Sequence, residues 1–282
     1  MRIAISAEST VDLTKEIIER FELKLVPFNI QLGEKVGFDG EITTDEIISY
    51  VNEKKVLPKT SAVNEYQYTE HFTELLKEYD AIVHFTLSSE LSMANTNANN
   101  AAKKLENVYV VDSRSLSTGI ALLAIYAKEL ADKGVDAKEI ADKCQQRVPY
   151  VQASFELKRL DYLYKGGRCS GLLFFGANLL RIRPQIVVKN GKMVPGKKYR
   201  GKYPVVVKKY CQDVLDEFNN PDLTRAFVTY TTADEEIVEY AKNSLIEKGF
   251  KEVFVTRAGG TITSHCGEDC LGILYINDGL NN

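Results

Sequence analysis

"AIVHFTLSSELSMANTNANNAAKKLENVYVVDS", residues 81–113, decides the fold. It opens on an unbroken apolar run, AIVHFTL, turns through the hydroxyl-rich LSSELSMANT, and resumes as the small-residue helix ANTNANNAAKKLE. It closes on a second apolar run, VYVVDS. Short continuous apolar runs bounded by turn residues read as strands buried on both faces. A helix connecting two of them makes the strands parallel, because a parallel pair needs a long crossover.

The same grammar extends towards the amino terminus. RIAISAE reads as a strand, LTKEIIERF as a helix and LVPFNIQL, residues 25–32, as a second strand. Thr43 or Thr44 caps DEIISYVNEK, and Asn64 introduces EYQYTEHFTELLKEY, since each side-chain oxygen accepts a bond from an orphan helix N–H. STGIALLAIYAKELADKG is a helix ended by Gly134. Near residue 150 the pattern changes. QIVVKNGKMV holds Asn190-Gly191 between two apolar runs, a strong hairpin signal. Helix VVVKKYCQDVLDEF, strand RAFVTYTT, helix DEEIVEYAKNSLIEKG and strands KEVFVT and LGILYI follow. The expected class is α/β: a parallel-sheet domain over 1–150 and an α+β domain with an antiparallel hairpin over 151–282. At 282 residues, two domains are the default.

Composition narrows the function. A formal net charge of −3 argues against a broad nucleic-acid footprint. No apolar run reaches the roughly 20 residues of a bilayer span, and MRIAISAEST lacks a signal-peptide core, which points to the cytoplasm. Cys144, Cys169, Cys211, Cys266 and Cys270 are too scattered for a disulfide framework and read as reduced thiols. His265, Cys266 and Cys270 lack a further ligand pair to complete a zinc site, so neither a metal nor a cofactor is expected.

Four segments carry candidate chemistry. PKTSAVN, residues 58–64, and LSSELSMANT, residues 87–96, place hydroxyls before helices, where they either cap those helices or face a ligand. GGTITSHCGEDCLGI puts His265 in a small-residue loop suited to ligand contact. His71, beside Glu70 and Glu74, reads as a surface residue, and His84 as a core or rim residue. In LDYLYKGGRCSGLL, Gly166 and Gly167 are either a helix stop or a close backbone approach to a ligand, and Arg168 offers a fork for an anion.

Taken together, AESTVDL, the Thr60-Ser61 pair, LSSELS, VYVVDS, LDYLYKGGRCSG and HCGEDCLGI resemble the DegV family over essentially the whole chain. Its members are bacterial fatty-acid-binding proteins that act as acyl-carrier subunits of a fatty acid kinase. The resemblance implies that Thr60 and Ser92, with Ser61 adjacent, supply hydroxyls to a fatty acid carboxylate. His265 and Arg168 would line the same end, and Gly166 and Gly167 would bring backbone up to it. The acyl chain would enter an apolar tunnel, for which GLLFFGANLL is a candidate wall. The chain departs from the family pattern at Ala62-Val63, at Met93-Ala94 and at Cys266-Gly267-Glu268-Asp269. Carboxylates at Glu268 and Asp269, if they faced the head group, would disfavour a charged acid.

Three functions follow as expectations. The first is a non-catalytic carrier presenting a long-chain fatty acid to a separate ATP-dependent kinase subunit, consistent with the absence of a GxxxxGK[ST] loop. A hydrolase using Ser92 or Ser61 with His265 is the second, although no GxSxG elbow surrounds either serine. The third is a lipid-sensing regulator. The carrier is expected to be a monomer.

Overall fold

The computed structural model describes residues 1–169 and 183–280. Residues 171–180, the candidate tunnel wall, lie outside the described residues.

In chain order the elements are β1 (Ile3–Glu8), α1 (Lys15–Arg20), β2 (Lys24–Val26), β3 (Asn29–Leu32), β4 (Lys35–Phe38), α2 (Thr44–Lys54) and β5 (Lys59–Ser61). Then come α3 (Glu65–Leu75), β6 (Ala81–Thr86), α4 (Ala94–Ala102), β7 (Val108–Asp112), α5 (Thr118–Asp132) and α6 (Ala137–Arg147). The remainder is β8 (Val151–Leu157), α7 (Asp161–Gly166), β9 (Arg183–Lys189), β10 (Lys192–Tyr199), α8 (Tyr203–Glu217), β11 (Arg225–Tyr230), α9 (Glu235–Lys248), β12 (Glu252–Arg257), α10 (Gly260–Cys266) and β13 (Cys270–Ile276).

The first sheet is parallel, in the order β2-β1-β6-β7. Every residue of β6 is buried. Because successive strand residues point to opposite faces, this sheet is covered on both. The second sheet is mixed, in the order β10-β9-β8-β13-β11-β12, with β11 and β12 parallel and the other pairs antiparallel. Asn190 and Gly191 join β9 to β10 with φ of 51° and 81°. Both values lie in the region that a two-residue hairpin turn of matching twist demands.

Two local readings need correction. LVPFNIQL is not one strand: Pro27-Phe28 divides it into β2, in the parallel sheet, and β3, in a separate three-stranded sheet ordered β4-β3-β5. Proline has no N–H to donate to a ladder, which fits a change of sheet there. His71 is not a surface residue. Its Nε2 bonds Ser6 Oγ at 2.8 Å and its ring packs 6.3 Å from that of buried His84. Removal from water holds its pKa down at about 4. The cap assignments agree with the structure: Thr43 accepts from Glu46 N–H, and Asn64 forms a reciprocal capping box with Gln67.

Candidate functional site

The strand periodicity of β5 sorts the Thr60-Ser61 pair. Successive side chains point to opposite faces. Thr60 turns inward and lines a cavity, whereas Ser61 is exposed and does not. The segment read as the loop PKTSAVN is therefore part strand, pairing with β3 through Ile30 and Thr60. Thr60 Oγ1 lies 2.9 Å from Nε2 of His265.

His265 sits on a helix, α10, rather than on a loop. The amino-terminal motif AESTVDL fixes that helix from a distance. Asp12 Oδ1 accepts from Gly259 N–H at 2.8 Å and Asp39 Oδ1 from Gly260 N–H at 2.7 Å. Ser117 donates to the other oxygen of Asp12 at 2.5 Å. Burial pushes the Asp12 pKa up to about 8, with the nearby Asp39 charge adding to the rise against the two donors. Neither acid was read as functional from sequence, because a motif contact spanning most of the chain leaves no local signal.

His265 is neutral. Burial lowers its pKa to about 4, and the charge of Arg168 acts in the same direction. Its Nδ1 is buried with no hydrogen-bond partner among the described residues. A Cβ added to Gly166 would fall 2.7 Å from that nitrogen, so the glycine is what lets α7 close over the ring. Gly167 ends α7 in the left-handed region with φ 69°, the ordinary helix stop. The two readings of the glycine pair thus divide between the two residues. Exposed Arg168 bonds Gly166 O at 2.7 Å and stands at the cavity rim.

Empty space in the cavity and its mouth, open solvent included, is about 530 Å³. Thr60, Ser92, Thr261 and His265 are polar points on its wall, and Phe28, Leu87, Leu91, Leu116, Met193 and Ile262 supply much of the apolar surface. Those last six were not singled out from sequence, since an apolar residue in a cavity wall has the same pattern as one in a core. A second, smaller void shares Leu116, Ile262 and Cys266 with the first and runs along β8, β11 and β13 of the mixed sheet.

The serine loop is held from both ends. Beneath it, buried Glu8 accepts from Leu87 N–H at 2.8 Å and from Tyr68. Burial lifts the Glu8 pKa to about 7 against those donors. Above it, Ser88 donates to Gly191 O at 2.7 Å and Arg114 to Asn190 O at 2.5 Å, tying the loop to the tip of the β9–β10 hairpin. Ser92 Oγ accepts from Ala94 N–H at 3.2 Å. The carboxylates feared at the head group are engaged by other charges: Glu268 pairs with Arg159 at 3.4 Å and Asp269 with Lys158 at 2.5 Å. Among the described residues no group of three or more His, Cys, Asp or Glu is placed to hold a metal ion, and no helix is long and apolar enough to cross a membrane.

Comparison with known proteins places this architecture. A fatty acid-binding protein of Thermotoga maritima is 28% identical over 283 residues, covering 96% of each chain. The solved structure of a DegV family protein from Thermus thermophilus, described for its fatty acid binding, superposes with a TM-score of 0.89. It is 27% identical and covers 98% of this chain and 100% of its own. DegV of Bacillus subtilis, described as a fatty acid binding protein, gives a TM-score of 0.86 at 25% identity over 99% of this chain and 100% of its own. The sequence model of DegV, a family of uncharacterised proteins, matches residues 2–278. The chain belongs to the DegV family.

Proposed function

We propose that this chain binds a long-chain fatty acid in the cavity between its sheets and presents the carboxylate to a separate ATP-dependent kinase, which forms the acyl phosphate. One observation carries the binding half. The two hydroxyls assigned to the head group already receive a hydrogen bond from their own chain and keep an O–H to give. Ser92 accepts from Ala94 N–H. Thr60 accepts from His265 in the tautomer with its proton on Nε2, which avoids burying an N–H donor at the partnerless Nδ1. An ionised carboxylate only accepts, and two free O–H donors are its complement. Neutral donors also avoid the desolvation that a fully buried ion pair would incur.

The apolar remainder of the wall, continuing into the second void, suits a hydrocarbon tail. Each buried methylene contributes about 0.8 kcal/mol, so the tail sets affinity and the hydroxyls set orientation. Likeness to relatives described as fatty acid-binding supports the same reading. For the kinase half, Arg168 stands exposed at the rim, where it can meet a partner or steady a developing acyl phosphate.

The hydrolase reading meets an unfavourable geometry. His265 Nε2 is spent on Thr60 rather than on a serine, no carboxylate among the described residues orients its Nδ1, and a pKa of about 4 makes it a weak base. Ser61 points away from the cavity.

Native mass spectrometry of the purified protein tests binding. A retained mass equal to a long-chain fatty acid is expected, and Thr60→Ala with Ser92→Ala should leave the fold intact while weakening retention at least tenfold. Retention unchanged in that double variant removes the head-group assignment.

A further inference from the structure

Helix α10 carries three hydroxyls, and the chain uses two of them. Thr263 Oγ1 lies 3.0 Å from Thr44 Oγ1 and 3.5 Å from Ala258 O. Ser264 donates back to Gly260 O at 2.7 Å, the usual way a helical serine satisfies itself. Thr261 differs. It is 3% exposed, it lines the main cavity, and its Oγ1 is buried with no partner among the described residues. Buried hydroxyls are paired in the large majority of cases, so an unpaired one on a ligand-cavity wall calls for an explanation. A valine of the same shape would line the cavity without that cost.

Resting on the fatty-acid reading, we propose that Thr261 recognises a second oxygen on the ligand, and that the preferred acid carries a hydroxyl on its second or third carbon. Position supports this. Thr261 stands one helical turn before His265, so the two share a face with their Cβ atoms about 5–6 Å apart. His265 and Thr60 mark the carboxylate end. A polar substituent that meets Thr261 therefore sits close to the carboxyl group rather than far along the tail. The chemistry supports it as well. A threonine hydroxyl with both its donor and its acceptor free matches another hydroxyl, which offers both. The next residue, Ile262, already faces the apolar void that would take the tail.

The test measures binding of hexadecanoic acid and its 2-hydroxy and 3-hydroxy forms to the whole protein, to Thr261→Val and to Thr261→Ser. The wild type should hold one hydroxy acid about tenfold more tightly than the plain acid, the net worth of about one hydrogen bond. Thr261→Val should abolish that preference and leave the plain acid unchanged or slightly tighter, and Thr261→Ser should restore the preference. Equal weakening of all three acids by Thr261→Val would show that Thr261 serves the carboxylate, and no preference in the wild type would show that it serves no second oxygen. Either result overturns the inference while fatty-acid binding stands. Failure of the wild type to bind any of the three overturns both.

Discussion

The two rims of the cavity are built on opposite principles. The serine-loop rim is cross-linked: Ser88, Arg114 and Glu90 reach the β9–β10 hairpin through Gly191 O, Asn190 O and Lys192. The α7–α10 rim has no such latch from Gly166 to His265. There the contact is steric, a glycine against a buried ring, with the helix behind it pinned by Asp12 and Asp39. Bonded contacts at partly exposed Arg114 and Glu90 fail gradually, because water replaces a lost partner there. Packed contacts fail abruptly, because a close-packed interior has no room to give.

The largest effect should come from breaking the packed rim. Gly166→Ala gains up to about 1 kcal/mol of helix propensity. It also forces a methyl into the 2.7 Å space beside His265 Nδ1. Overpacking costs about 1–3 kcal/mol, and here it displaces the residue that orients Thr60. Melting temperature should move little while fatty acid affinity, by equilibrium titration, falls at least tenfold. Unchanged affinity would mean that the ring position does not matter.

The second effect is a pH dependence of the same rim. Asp12 has a folded pKa of about 8, raised from its usual carboxylate value. A raised acid contributes stability that is complete below the unfolded pKa and is lost as pH climbs to the folded one. Asp12 alone therefore makes stability fall by up to about 1.4 kcal/mol per pH unit between roughly pH 4 and 8. Denaturant unfolding of Asp12→Asn across that window should show a flatter profile than the wild type. His71 and His265, each lowered to about 4, act oppositely, adding stability as pH rises towards the ordinary histidine value. They leave the difference between the two proteins untouched.

The smallest effect belongs to the latch. Arg114 is about one-third exposed, so losing its bond to Asn190 O should cost only about 1 kcal/mol. Stopped-flow displacement of a fluorescent fatty acid from Arg114→Ala should show release a few-fold faster at nearly unchanged melting temperature. An equal loss of stability and affinity would place the latch in the folding core instead.

The same contrast explains what could be read in advance. AIVHFTL declared its place in the parallel sheet because burial on both faces leaves an unbroken apolar run, whereas VYVVDS keeps the apolar run on a partly buried edge strand. Asn190-Gly191 declared the hairpin because only such residues enter its turn cheaply. Strands β3, β4 and β5 were harder. Each has three or four residues, too few to show a period, and β4 carries a charge and a glycine. Thr60 and His265 stood out by type and context, yet their contact joins residues 205 positions apart and has no trace in spacing. Thr261 was hidden for a further reason: its distinction is a missing partner.

The cysteines make the cavity observable without any added label. All five thiols are buried. Cys266 and Cys270 stand on the wall of the second void, while Cys144 and Cys211 lie elsewhere in the two main apolar cores. Burial keeps Cys144, Cys211 and Cys270 protonated at neutral pH and therefore poorly nucleophilic. Alkylation in the native state then becomes a clock for breathing: a ligand that fills the void slows the hands at Cys266 and Cys270, while Cys144 and Cys211 keep ordinary time.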